Sequence, residues 1–139
     1  MSSKNKLYVV ATHIGNPDDI TLRALKVLKS VNFVICEEFK VGSRLLKSYD
    51  IKKPLELLNE HNEDEQTQTI LDRLVMNNET AAIISDAGTP LFADPGNNLV
   101  WQCHQNGIDV VPIPGASSIM AALMVSGLNL DQFLYYGFL

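Results

Sequence analysis

Ser85-Asp86-Ala87-Gly88-Thr89-Pro90-Leu91-Phe92-Ala93-Asp94-Pro95-Gly96 is the stretch that decides how this 139-residue chain folds. Before it, Ala81-Ala82-Ile83-Ile84 reads as a buried strand, and after it Asn97 to Gln105 has a helical pattern. A turn rich in Gly, Pro and Asp at the carboxyl end of a strand is where an open parallel sheet binds its ligands. The two glycines allow close backbone approach, the two prolines fix the shape of the loop, and the two aspartates supply acceptors.

The same strand, loop, helix rhythm recurs outward in both directions and predicts a parallel sheet with crossover helices. Leu7–Ala11, Phe33–Cys36, Pro54–Leu58, Ala81–Ser85 and Asp109–Ile113 read as strands. Ile20–Ser30, Ser43–Tyr49, Asp64–Met76, about Pro95–Gln105 and Ala116–Val125 read as helices, with Thr21 or Asp19 as the cap of the first. The expected fold is α/β: an open, mostly parallel five-stranded sheet with helices on both faces. Residues 1–115 would form that domain. Residues 116–139 would begin a second one, cut short, and Phe133–Leu139 reads as its first strand. Such an apolar strand should pair with something.

Three loops then share the carboxyl side of the sheet: Thr12–Asp19, Ser85–Gly96 and Pro112–Ser118. Backbone N–H groups, small side chains and helix N-termini converge there, as a nucleotide-like ligand requires. The first loop has one glycine instead of Gly-x-Gly-x-x-Gly, and no Walker sequence occurs, so pyrophosphate is not the expected ligand. Adenosine without phosphates fits better. Glu60-His61-Asn62-Glu63 follows the third strand, either as a polar turn capping the next helix or with His61 and Asn62 facing the cleft. Cys36-Glu37-Glu38 after the second strand is open to the same two readings.

Composition excludes several classes. With 46% hydrophobic and 19% charged residues the chain can bury an ordinary core. It has no membrane-length apolar run and no signal-peptide pattern. The three scattered histidines and two isolated cysteines offer no metal-ligand spacing, so no metal is expected. Cys36 and Cys103 are expected to be buried, inert thiols in a reducing cytoplasm. The net charge is −5, yet ten of the eleven Lys/Arg lie at or before Lys53, against five acids there. That asymmetry hints at an anionic partner, although a charged helix face is also an ordinary solvated surface.

The loops in this order resemble the tetrapyrrole-methylase superfamily of class III S-adenosylmethionine-dependent methyltransferases. Within it they are most similar to bacterial small-subunit ribosomal RNA ribose 2'-O-methyltransferases. The resemblance rests on Val10-Ala11-Thr12 with Ile14-Gly15-Asn16 and Asp19–Leu25, on Glu60–Glu63, on Ser85–Pro90 with Asp94-Pro95-Gly96, and on Val111–Gly115 with Ser117. It covers the chain but only the amino-terminal half of that family's architecture and the start of its second domain. It implies S-adenosylmethionine as cofactor, with Asp86, Ala87, Gly88, Thr89, Pro90, Phe92 and Ala93 on one wall of its cleft and Ala116, Ser117 and Ser118 on another. It implies that the Thr12–Asn16 loop, with His13, Gly15 and Asn16, borders the methyl acceptor; Asn62 is read onto the same side, and Glu37 and His61 are the candidates for a base, which the resemblance does not name. The family usually has Pro at the position of His13, and acid-acid-Thr-Arg where this chain reads Glu37-Glu38-Phe39-Lys40.

The implied partners are ribosomal RNA or the small ribosomal subunit and, through the terminal strand, a second copy of the chain; no membrane is implied. Two other readings stand beside this one: a methyltransferase of corrin or porphyrin precursors, and a non-catalytic cofactor-binding or interaction module. The chain alone is expected to transfer no methyl group.

Overall fold

A computed structural model describes residues 5–138. Five strands, β1 (Lys6–Val10), β2 (Phe33–Cys36), β3 (Leu55–Leu57), β4 (Ala81–Ile83) and β5 (Asp109–Ile113), form one sheet in the order β3-β2-β4-β1-β5. Every pairing is parallel. Between and after them lie α1 (Leu22–Ser30), α2 (Phe39–Ser48), α3 (Glu63–Met76), α4 (Asn97–Gln105) and α5 (Ser118–Met124).

Strand side chains alternate between two cores, as a period of two requires. Val10, Val34, Cys36 and Ala82 face one core with Ala24 and Leu28 of α1 and Leu45 and Leu46 of α2. Leu7, Phe33, Ile35, Ala81 and Ile83 face the other with Ile70 and Leu74 of α3 and Leu99 and Cys103 of α4. Helices therefore cover both faces, as expected. Pro112 sits in β5, an edge strand, where a residue without an N–H is tolerated.

Several local expectations are corrected. α2 begins at Phe39, not Ser43. Its Gly42 is there for packing: a Cβ would lie 2.7 Å from Cys36 Sγ. α4 begins at Asn97, after Gly96 at φ 125°, so Pro95 is not in its first turn. Thr21, not Asp19, caps α1, its side chain accepting from Ala24 N–H at 2.9 Å. The last helix is shorter than Ala116–Val125 and is capped by Ser117.

The expected strand at 133–139 is not formed over residues 133–138; Leu139 lies outside the described residues. A strand needs a ladder partner, and residues 133–138 pair with no strand of the sheet. No described residue after Ile113 is buried, so the two cores end with β5.

Candidate functional site

The sheet order fixes the site. The chain leaves β1 for β2 and β3 on one side, returns to β4 in the middle, and then crosses to β5 on the far side of β1. The loops after β1 and β4 thus emerge side by side, at the crevice where open α/β sheets hold ligands. They are stitched together: Thr12 N–H donates to Gly88 O at 3.0 Å and Gly88 N–H to His13 O at 3.1 Å. Thr89 Oγ1 donates to Ala116 O at 2.9 Å and ties in the loop after β5. Ser85 Oγ lies 2.9 Å from Ala87 O and 3.2 Å from Gly88 O, holding the turn from within.

Gly88 has φ 76°, and a Cβ there would lie 2.7 Å from Ile14 Cγ2. Only glycine meets both demands without strain. Leu91 and Ala93 carry positive φ of 74° and 61° without being glycine. Such conformations cost energy and persist where surroundings impose them. Leu91 is held by packing on the α3/α4 core, where it fills the place of the Cβ that Gly96 lacks. Glu63 Oε1 accepts from Gly96 N–H at 3.1 Å, anchoring the far end of the loop to α3.

Between the β4 and β5 loops opens a cleft of about 350 Å³, lined by Gly88, Thr89, Phe92, Asp94, Ser117 and Tyr135 among others. Of the residues expected to bind cofactor, Ala87, Gly88, Thr89, Phe92, Ala93, Ser117 and Ser118 line it. Ala116 is not in the lining; its carbonyl accepts from Thr89, which is. Pro90 instead lines a crevice of about 10 Å³ with Glu37 and Asp94, beneath the same loop. A cavity of about 580 Å³ lies elsewhere, between the end of α2 and the start of β3. It is larger, but none of the converging loops reaches it.

Of the nearby acids, Asp94 lines the cleft, Glu37 joins it at the crevice beneath the loop, and Asp86 is in neither lining. Burial, and then the nearby Asp86, Asp94, Glu60 and Glu38, raise the carboxyl pKa of Glu37. Asp86 is raised by burial and then Glu38. Asp94 is raised by burial and then Asp86, against a backbone hydrogen bond from Leu91 that lowers it. Mutual repulsion among these groups suits a ligand carrying positive charge.

His13 is half-buried, with Nδ1 3.2 Å from Tyr49 Oη, and that hydroxyl donates to Pro17 O at 2.8 Å. Gly15 and Asn16 are exposed, and Asn16 accepts from Asp18 N–H at 3.0 Å. His61 and Asn62 are not brought into the cleft. His61 is 85% exposed, lies 3.6 Å from Glu60, and borders a separate shallow cavity with Asn62. The Asn62 amide is spent on its own turn, accepting from Asn59 N–H at 2.8 Å and donating to Leu57 O at 3.1 Å.

The sequence reading missed Tyr49, Glu63 and Tyr135. Tyr135 lies in the run taken for a strand, yet packs edge-on against Phe92 with ring centroids 5.8 Å apart. Among the described residues no cluster of three or more His, Cys, Asp or Glu could hold a metal, and no helix is long and apolar enough to cross a membrane.

Comparison with known proteins bears on this geometry. The family model of tetrapyrrole (corrin/porphyrin) methylases matches residues 6–135. The ribosomal RNA small subunit methyltransferase I of Pasteurella multocida is 47% identical over 133 residues, covering 96% of this chain and 47% of its own. That of Pseudomonas aeruginosa is 47% identical over 137 residues, covering 99% and 48%. The chain therefore spans about half the length of these relatives. The crystal structure of uroporphyrin-III-C-methyltransferase from Thermus thermophilus superposes with a TM-score of 0.62 at 24% identity, covering 92% of this chain and 54% of that one. At that identity the likeness shows a shared fold.

Proposed function

The chain belongs to the tetrapyrrole (corrin/porphyrin) methylase family, and from that premise we propose that it is the cofactor-binding part of an S-adenosylmethionine-dependent methyltransferase. We propose ribose 2'-O-methylation of small-subunit ribosomal RNA, in the cytoplasm, as its reaction. The observation carrying the cofactor is the cleft of about 350 Å³ between the β4 and β5 loops, which Thr89 ties together. It is of ligand size and presents backbone and small side chains.

The residues fit the group. Asp94 on the cleft and Asp86 beside it offset a sulfonium and an ammonium charge. Gly88, Thr89 and Ser117 offer close backbone approach, and Phe92 with Tyr135 supplies an apolar wall. When bound, S-adenosylmethionine supplies an electrophilic methyl group. The chain's own contribution is to align it and exclude water. Glu37 is our proposed base for the ribose hydroxyl: it lines the crevice beneath the β4 loop with Pro90 and Asp94, and its raised pKa makes the carboxylate a better proton acceptor. His13, Gly15 and Asn16 would border the acceptor.

The identity of 47% to ribosomal RNA methyltransferases favours RNA over a tetrapyrrole precursor as acceptor. Residues 116–138 fit the opening of a second unit, since none is buried in the two cores. Met120, Met124, Val125 and Leu128 are exposed there, and we assign them to contact with that unit or with a second copy in a homodimer.

Titration calorimetry tests the cofactor: S-adenosylmethionine should bind the folded chain, and its failure to bind overturns the reading. The acceptor is tested by joining the chain to the carboxyl-terminal half of the Pasteurella multocida relative and supplying small ribosomal subunits with methyl-labelled cofactor. Label in alkali-resistant ribose positions supports the proposal. Label only in bases, or only in added porphyrin precursors, overturns it.

A further inference from the structure

Helices α1 and α2 carry six cations and no acid: Arg23, Lys26 and Lys29 on the first, Lys40, Arg44 and Lys47 on the second. Both helices pack on the same face of the sheet, through Ala24, Leu28, Leu45 and Leu46. All six cations are exposed. The opposite face is of the other sign, with Glu63, Asp64, Glu65 and Asp72 on α3 against Arg73 alone, and no acid or Lys/Arg on α4. What looks along the sequence like a charge gradient is thus, in the fold, a charge difference between the two faces of one sheet.

Oppositely charged neighbours one helical turn apart stabilise a helix, and like charges destabilise it. α1 and α2 forgo that. Among the described residues every salt bridge involves Arg73 or His61, so none of the six is paired with another described residue. Beyond α2 the charge continues. Lys47, Lys52 and Lys53, against the single acid Asp50, line the cavity of about 580 Å³ between the end of α2 and the start of β3. The layer is also joined to the cleft side of the molecule. Tyr49, directly after α2, holds His13 at 3.2 Å and Pro17 at 2.8 Å in the loop after β1.

We propose that the α1/α2 face, with the lysine-lined cavity at its end, is a binding surface for the phosphate backbone of RNA. It rests on the reading of the chain as part of an RNA methyltransferase and adds where that RNA lies. Its occupant is set by charge complementarity: regularly spaced phosphates meet unpaired cations spread over two helices and a cavity. A lipid surface is a poorer match, since the apolar rows of both helices pack on the sheet core and leave one large apolar residue exposed on each, Leu22 and Phe39. The Tyr49 to His13 link then lets a strand held on this face reach the proposed acceptor side of the cleft.

The test uses the 139-residue chain and a fluorescein-labelled stem-loop of small-subunit ribosomal RNA, with anisotropy read across a salt series. A Lys26→Gln, Lys29→Gln, Arg44→Gln, Lys47→Gln variant should flatten the slope of log K against log salt by about 3, from roughly 0.7 to 0.9 per lost phosphate contact. Affinity should fall at least tenfold at low salt. A Glu65→Gln variant on the opposite face should leave the slope unchanged. S-adenosylmethionine binding should be equal in all three proteins, which shows that each is folded.

The proposal is overturned if the parent chain binds no RNA, or if the fourfold variant keeps the parent's slope. It is overturned in favour of a membrane if vesicles containing phosphatidylserine bind more tightly than RNA and lose binding in the same variant. A parent chain that binds RNA through this face but not S-adenosylmethionine supports the surface while removing the cofactor reading.

Discussion

Gly88 and Gly107 have nearly the same backbone, φ 76° and 69°, in different surroundings. A Cβ on Gly107 meets nothing within 4 Å, while one on Gly88 meets Ile14 Cγ2 at 2.7 Å and Ala116 O at 3.4 Å. Gly107→Ala therefore isolates the conformational cost of a left-handed residue, about 1 to 2 kcal/mol. Gly88→Ala incurs that cost and must also displace Ile14. Overpacking costs roughly 1 to 3 kcal/mol, and the low end applies because a half-buried isoleucine can shift. The sum is about 2 to 3 kcal/mol for Gly88→Ala. Gly88→Val adds β-branching at positive φ, a genuine outlier. It also strains the two hydrogen bonds to Thr12 and His13, each worth about 1 kcal/mol.

Urea denaturation gives the stabilities and calorimetry the cofactor affinity. Gly107→Ala should bind S-adenosylmethionine like the parent. Gly88→Ala should bind it more weakly, because the β1 and β4 loops are forced apart at the edge of the cleft. Equal stability loss and equal affinity in the two alanine variants would refute the idea that loop contact at Gly88 shapes the site.

Arg73 reaches Glu56 and Glu79 at 2.7 Å each and lies 3.7 Å over the Phe33 ring. Arg73→Met should cost about 2 to 3 kcal/mol in urea denaturation, because two partly buried carboxylates lose their shared partner. Glu37 behaves in the opposite sense. Its pKa is raised in the folded state, so folding binds protons and the group destabilises the fold above its folded pKa. Glu37→Gln should therefore stabilise the chain at pH 7, and the gain should fade as pH drops through the carboxylate range; a loss of stability at pH 7 would contradict this. Burial pushes the thiol pKa of Cys36 up to about 11 and that of Cys103 to about 12. Neither should react with iodoacetamide at pH 8 in the folded chain, and both should react in urea, as mass spectrometry would record.

The sheet and its loops were legible because their signal is local. Apolar strands, amphipathic helices and Gly/Pro turns alternate strictly, and a parallel sheet puts every strand-to-helix loop on one side. Thr21 announced its cap by residue type, whereas Ser117, the cap of α5, was read as part of the helix. What escaped the sequence depends on distant partners. The helix read from Ser43 leaves Gly42 outside, but Gly42 lies inside α2, where a Cβ would meet Cys36 Sγ at 2.7 Å. The aromatic run at Phe133 has the composition of a strand, yet composition cannot supply a ladder partner, and Tyr135 packs on Phe92 instead. His61 and Asn62 share a motif with Glu63, but only Glu63 reaches the β4 loop. Tyr49 stands 36 residues from His13 in the chain, and no spacing rule links them. The charge asymmetry was visible in the sequence; its confinement to one face needed the topology.

The most direct test of the central claim is amide chemical-shift mapping of the isotopically labelled chain during titration with S-adenosylmethionine. Saturable shifts are expected at Gly88, Thr89, Ala93, Ser117 and Ile119, the residues around the cleft between the β4 and β5 loops. Saturable shifts confined to Lys47–Leu55, around the cavity beside β3, or no saturable shifts at all, would contradict it.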